Sequence, residues 1–346
     1  MGRRSVSIQD IARIAGVSHS TVSRALHNST LISTNVRKHI QQLAIEMGYT
    51  PNAIAQSLQM RRSNTVGLVV TSIGDPFWSD VVRGVEEIAR NNQISVFLSS
   101  AYTDPEQEFA AIEQFHRRRV DGILVADAHM SKAHADRIMR MRVPTVLINC
   151  QVDGMADWSH SVAVDDALGA RLAVEHLVQL GHRAIGYLGI TNRPLSNRRR
   201  LSAYREVMRE AGLGPPPEWE AIATEPMLED SIIGELLAPR LLEAGVTALF
   251  CYNDMLAIGA LLACREHNVI VPDQMSVIGF DDIPASRFVT PSLTTIHQPK
   301  HSLGTQAMSI LLDLLADRPA QNVVVVPTLI ERQSTQPALH RSASSE

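Results

Sequence analysis

The stretch SIQDIARIAGVSHSTVSRALHNS, residues 7–29, decides how the chain is read. Ser7 with Asp10 three residues on has the spacing of a capping box in which Asp stands for Glu. Ile8, Ile11, Ala12 and Ala15 recur at helical spacing. Gly16 then ends the helix, because glycine turns through positive φ at little steric cost. Ser18 is placed to cap a second helix running to about Leu26. That helix turns Val22 and Ala25 inward and His19, Ser20, Ser23 and Arg24 outward. A third helix is expected over about Thr34–Met47, with Val36, Ile40, Leu43 and Met47 on its inner face.

Charge separates this region from the rest. Residues 1–62 carry eight Lys and Arg against Asp10 and Glu46, a balance of +6, whereas the whole 346-residue chain is −4 and the remainder therefore −10. A basic head on an acidic body points to a polyanionic partner for the head alone. Helix, glycine turn and helix form the helix-turn-helix arrangement, whose second helix enters the major groove with its N-terminal residues against base edges. His19 and Ser20 stand at that end, and Arg24 follows one turn later, within reach of a guanine edge or a phosphate.

The run A-G-V-S, two variable residues, then T-V-S-R-A-L resembles the head of the lactose/galactose repressor (LacI/GalR) family. One departure is His27, which stands between the leucine and Asn28 where the family has asparagine directly. The resemblance implies base reading by His19, Ser20 and Arg24, and phosphate contacts from Ser7, Ser18, Thr21 and Asn28. It also gives meaning to residues 52–59, NAIAQSLQ, which composition alone reads as a linker. In the family this segment is a hinge helix that folds on DNA and inserts a leucine into the minor groove. The matching residues are Asn52 as cap, Ala55 and the wedge Leu58. An apolar wedge unstacks one base step and bends the duplex. A helix this short is unstable alone in water, so its folding would depend on DNA and the partner subunit.

From Thr65 onward, apolar strand-like runs alternate with helical segments. Strands are expected at 66–70, 94–99, 122–126, 145–149, 184–189, 248–252 and 276–280. Helices are expected at 75–91, 105–118, 131–141, 165–180, 196–211, 228–243 and 254–268. Continuous apolar strands separated by helices imply parallel sheets, and two successive series imply two lobes with a cleft. The expected fold is thus an all-α helix-turn-helix head plus an α/β two-lobed, periplasmic-binding-protein-like core. The head spans residues 1–50 and the hinge 51–63. The effector-binding and dimerisation region spans 64–340, with lobe 1 at about 64–162 and 296–325 and lobe 2 at about 163–295 and 326–340.

Ligands of such folds bind beyond the carboxyl ends of the strands. There the resemblance assigns effector contacts to Phe77, Trp78, Asn149, Arg200, Asn253, Asp281 and Gln298. Arg200 suits a hydroxyl pair or carboxylate, and Phe77 or Trp78 suits the face of a ring. Asn149 stands where sugar-responsive relatives commonly have aspartate.

Catalytic signatures are missing from the sequence: it has no G-x-G-x-x-G, no P-loop, no H-E-x-x-H and no G-x-S-x-G elbow. The three cysteines, Cys150, Cys251 and Cys264, have neither metal nor disulfide spacing. No enzyme activity, cofactor or metal is expected. The basic start is followed by polar sequence rather than an apolar core, and no run of about 18 apolar residues occurs, so a cytoplasmic location is expected. The function expected is a dimeric repressor acting on a pseudo-palindromic operator and controlled by a small molecule, a sugar or sugar derivative first. The alternatives are a purine- or nucleoside-responsive, corepressor-dependent regulator and a periplasmic-type solute-binding protein.

Overall fold

The computed structural model describes residues 6–49, 62–102, 104–127, 132–150, 160–191, 193–224 and 229–338. Asn52, Ala55 and Leu58 lie outside them. The chain divides into two compact units, residues 1–63 and 64–346.

The first unit contains helices α1 (Ile8–Ala15), α2 (His19–Leu26) and α3 (Thr34–Glu46). Ser7 Oγ accepts the Asp10 amide while the Asp10 side chain accepts the Ser7 amide, closing the capping box. Gly16 has φ +65°, and Ser18 caps α2 by accepting the Thr21 amide. Ile11, Ala12, Val22, Ala25, Ile40 and Ala44 make a small core. Val36 departs from expectation: it is 38% exposed, and Ala44 takes an inner position instead. The two eight-residue helices beneath α3 are too short to cover its first turn as well as its middle.

The second unit is built on two sheets. Strands β1 (Thr65–Val70), β2 (Ser95–Ser100), β3 (Gly122–Ala126), β4 (Thr145–Ile148), β5 (His160–Val164) and β11 (Val323–Val325) form one, in the order β11-β5-β4-β3-β1-β2. The other holds β6 (Ile185–Ile190), β7 (Glu220–Ala223), β8 (Ala248–Cys251) and β9 (Ser276–Ile278), in the order β7-β6-β8-β9. Every neighbouring pair in both sheets is parallel. An antiparallel ribbon of β10 (Thr295–His297) and β12 (Thr328–Ile330) continues the smaller sheet through bridges from Ile278 to Thr294 and Asp281 to His297.

Helices α4 (Pro76–Asn91), α5 (Pro105–Arg117), α6 (Lys132–Met141) and α11 (Lys300–Leu315) cover the six-stranded half. Helices α7 (Asp166–Gln179), α8 (Pro194–Glu210), α9 (Asp230–Glu243) and α10 (Asp254–Glu266) cover the four-stranded half. Glycines set the closest helix pairs. A Cβ on Gly304 of α11 would lie 2.1 Å from the Val81 carbonyl oxygen of α4, and one on Gly84 would meet the His301 carbonyl oxygen at 2.3 Å. The other half repeats this: a Cβ on Gly259 of α10 would meet the Ser231 carbonyl oxygen at 2.0 Å, and one on Gly234 of α9 the Leu256 carbonyl oxygen at 2.2 Å. Backbone approach this close needs residues without a side chain.

The chain passes between the halves three times. It leaves the six-stranded half between Val164 and α7 and returns between Gln298 and α11. It leaves again between β11 and β12, to end against the four-stranded half.

Candidate functional site

In each sheet the strand order contains a reversal of winding. These points fall between β1 and β3 in the larger sheet and between β6 and β8 in the smaller. Crevices beyond the strand carboxyl ends at such points are where open α/β sheets bind ligands. Asp75 follows β1, Asp127 follows β3, Arg193 follows β6 and Tyr252 follows β8. All four line one cleft together with Phe77, Asn149, Arg200, Asp281 and Gln298. An adjoining small cavity shares Asp127, Asn149 and Arg193 and adds Cys150, Pro194, Leu195 and Ser196.

Two buried arginines dominate the electrostatics. Arg200 points into its own half. Its Nε donates to Asp166 Oδ1 at 2.8 Å, its Nη1 to the Tyr252 carbonyl oxygen at 2.6 Å, and its guanidinium lies 3.6 Å from the Phe280 ring centroid. Arg193 has carboxylates on both sides: Asp75 at 2.8 Å, Asp230 at 3.3 Å and Asp127 at 3.9 Å. Burial pushes the Asp127 carboxyl up to about 7 even with Arg193 beside it. Burial likewise pushes the Asp281 carboxyl well up. Asp281 stays bonded, accepting from Gln298 Nε2.

Among the described residues, three buried polar atoms in this cleft have no hydrogen-bond partner: Asn149 Oδ1, Gln298 Oε1 and Arg193 Nε. Asn149 Nδ2 is taken, donating to Asp127 Oδ1 at 3.1 Å. Unmet buried polar atoms are costly, and here two acceptors and one donor converge on one cavity.

Five of the seven residues expected at the cleft line it: Phe77, Asn149, Arg200, Asp281 and Gln298. Trp78 does not. It packs in the core of the six-stranded half, 2% exposed, with Nε1 donating to Thr71 Oγ1 at 2.7 Å. Asn253 does not either. Its Oδ1 caps α10 by accepting the Leu256 amide and its Nδ2 donates to Asp230, so both ends are engaged. Asp75, Asp127, Arg193 and Tyr252 were absent from the expected set. Position alone marks them, since each follows a strand next to a winding reversal.

On the head, Ser18, His19, Ser20 and Arg24 are exposed along the N-terminal and outer face of α2. Ser18 Oγ lies 2.8 Å from both Ser20 Oγ and Thr21 Oγ1, which links these hydroxyls in a row. Ser7 gives its hydroxyl to the capping box. Asn28, at φ +55°, accepts from Gln41 Nε2 at 2.9 Å and ties the end of α2 to α3.

A helix-turn-helix head followed by a two-sheet α/β body with a polar cleft defines a DNA-binding regulator with a ligand-binding domain. Residues 7–52 match the bacterial regulatory proteins of the lacI family and residues 174–335 the periplasmic binding protein-like domain. The chain is 36% identical over 342 residues to the transcriptional regulator GalR of Escherichia coli K12, covering 97% of this chain and 98% of that one. It is 32% identical over 340 residues to the transcriptional repressor PurR of Haemophilus influenzae (strain PittEE), covering 96% and 99%. The lac repressor dimer bound to operator and the anti-inducer ONPF matches with a TM-score of 0.86 at 26% identity, over 96% of this chain and 100% of that one. The chain belongs to the lacI family of bacterial transcriptional regulators. Among the described residues no helix is long and apolar enough to cross a membrane.

Proposed function

We propose that this regulator is a cytoplasmic homodimeric repressor that binds a pseudo-palindromic operator and responds to an uncharged, polyhydroxylated, sugar-like effector. Two-fold symmetry of the dimer would set two heads on two half-sites. His19, Ser20 and Arg24 would read base edges, with Ser7, Ser18, Thr21 and Asn28 at phosphates and Asn52, Ala55 and Leu58 at the minor groove. The body divides into lobes at about 64–162 with 296–325 and 163–295 with 326–340. The effector would sit against Phe77, Asn149, Arg200, Asp281 and Gln298.

The observation that carries the effector class is the trio of unmet polar atoms, Asn149 Oδ1, Gln298 Oε1 and Arg193 Nε. A hydroxyl both donates and accepts, so a polyol satisfies all three. Asp75 and Asp166 already neutralise Arg193 and Arg200, which disfavours an anion. The lac repressor structure holds an anti-inducer together with operator, which supports coupling between an effector cleft and DNA. The test is a thermal-shift screen of the full chain with neutral monosaccharides, their phosphates and free nucleobases. Binding at a hundred times Kd stabilises by about 2.7 kcal/mol. A shift with neutral sugars alone supports the reading; a shift only with phosphates or nucleobases, or none at all, removes it.

A further inference from the structure

The two buried arginines of the cleft differ in what they join. Among the described residues, every partner of Arg200 (Asp166, Tyr252 and the Phe280 ring) belongs to the four-stranded half. Arg193 begins on that half, as the N-cap residue of α8, and holds Asp230 there at 3.3 Å. Its other nitrogens reach across. Nη2 lies 2.8 Å from Asp75 Oδ2, and Nε 3.9 Å from Asp127 Oδ2, both on the six-stranded half. The four side chains are between 10% and 17% exposed, so solvent screens them little. A planar fork with several fixed donors suits this role, and a single ammonium could not face three carboxylates at once.

The anchor points are themselves held in place. Asp75 caps α4 by accepting the Phe77 amide at 3.0 Å through Oδ1, leaving Oδ2 for Arg193. Asp127 is held through Oδ1 by Asn149 Nδ2, leaving Oδ2 toward Arg193. Asp230 is held by Asn253 Nδ2 at 2.6 Å. The fork therefore lies between supported acceptors on both walls.

We propose that Arg193 is the positioning residue that sets the register of the two halves across the cleft, with Asp75 as its principal anchor on the far wall. Its effect on the effector response rests on the effector reading above: a ligand hydroxyl that takes Asp75 or Asp127 from Arg193 changes how firmly the halves are joined. This gives the cleft a mechanical link that Arg200, satisfied within one half, does not supply.

The test is an inter-lobe distance measurement on the full chain without any ligand. Spin labels at Glu86→Cys and Arg209→Cys place one probe on each half, at exposed positions. Cys150, which lines the adjoining cavity, is replaced by Ser in every labelled protein; Cys251 and Cys264 are buried, with their thiols pushed up by burial, and stay unlabelled in the folded protein. Dilution with unlabelled protein restricts the signal to one subunit. The parent protein should give one narrow distance peak. Arg193→Ala should broaden and lengthen it, and Asp75→Asn should do the same. Asn serves as well as Asp in capping α4, so that variant removes the charge and keeps the cap. Asp230→Asn, on Arg193's own half, should leave the distribution as it was. An unchanged distribution in Arg193→Ala overturns the proposal, as does equal broadening by Asp230→Asn and Asp75→Asn. Should Arg193→Ala fail to fold by circular dichroism, the two Asn variants decide alone. Because no effector is used, a failed thermal-shift screen and a failed distance measurement are separate results.

Discussion

Arg200 Nε and Nη2 each lie 2.8 Å from the same oxygen of Asp166, and neither side chain is more than 3% exposed. The sequence suggested a guanidinium free to grip a ligand; in the fold much of its bonding capacity is committed to Asp166 and the Tyr252 carbonyl. Removing one member of such a pair strands the other charge. Asp166→Ala should therefore cost about 3–5 kcal/mol in urea unfolding. A loss below about 1 kcal/mol would show the pair to be dispensable.

Helix contact through glycine makes a second expectation. In Gly304→Ala the new methyl would stand 2.1 Å from the Val81 carbonyl oxygen, and backbone cannot step aside as a side chain can. Separation of α4 from α11 should cost about 1–3 kcal/mol. Gly259→Ala should do the same to α9 and α10. Chemical denaturation of the full chain measures both, and an unchanged midpoint would mean that the helices part freely.

Burial pushes the Asp254 carboxyl up to about 7, against hydrogen bonds from Thr295 Oγ1 and the Ile283 amide that favour its charge. Between the ordinary value of 3.8 and about 7 the folded protein retains a proton that the unfolded chain has released. Stability from this group is thus present at low pH and lost as pH rises through that window. Asp254→Asn removes the titration, so its stability relative to the parent should improve from pH 4 to pH 8. His176 and His182, lowered by burial, act in the opposite sense on the acid side and cancel in the comparison. A difference that stays flat with pH would remove Asp254 as the titrating group.

On the head, His19→Ala or Ser20→Ala should change the sequences selected from a random duplex library. Arg24→Ala should relax one position, at a cost of about 1–3 kcal/mol if it pairs bidentately with guanine. Unaltered preference in all three would move base reading to other residues.

The legible parts of the fold were those with strong periodic signals. The caps at Ser7 and Ser18, the turn at Gly16 and the long apolar strands were plain from residue type. Strands β5, β7, β10, β11 and β12 were not expected, because runs of three to five residues have no distinctive alternation. At the cleft, the rule that carried family positions over residue by residue located Phe77, Asn149, Arg200, Asp281 and Gln298. The rule failed for Trp78 and Asn253 because each found a polar partner close in sequence, Thr71 and the Leu256 amide. Arg193 escaped notice because its meaning lies in its partners: Asp75 stands 118 residues before it and Asp230 37 after.

The threefold passage of the chain between halves bears on how the protein is made. β11, at residues 323–325, pairs with β5 and closes one edge of the larger sheet. Shortly afterwards Ser334 accepts the Val277 amide, and Ala338 donates to the Leu180 carbonyl, fastening the smaller half. Neither half is a contiguous stretch, so neither is complete until residues 323–338 have left the ribosome. A stop codon or frameshift near residue 320 would remove β11 from the larger sheet and β12 from the ribbon at once, while leaving the head's three helices fully encoded. Such a fragment would keep the DNA-facing surface and lose the body that governs it.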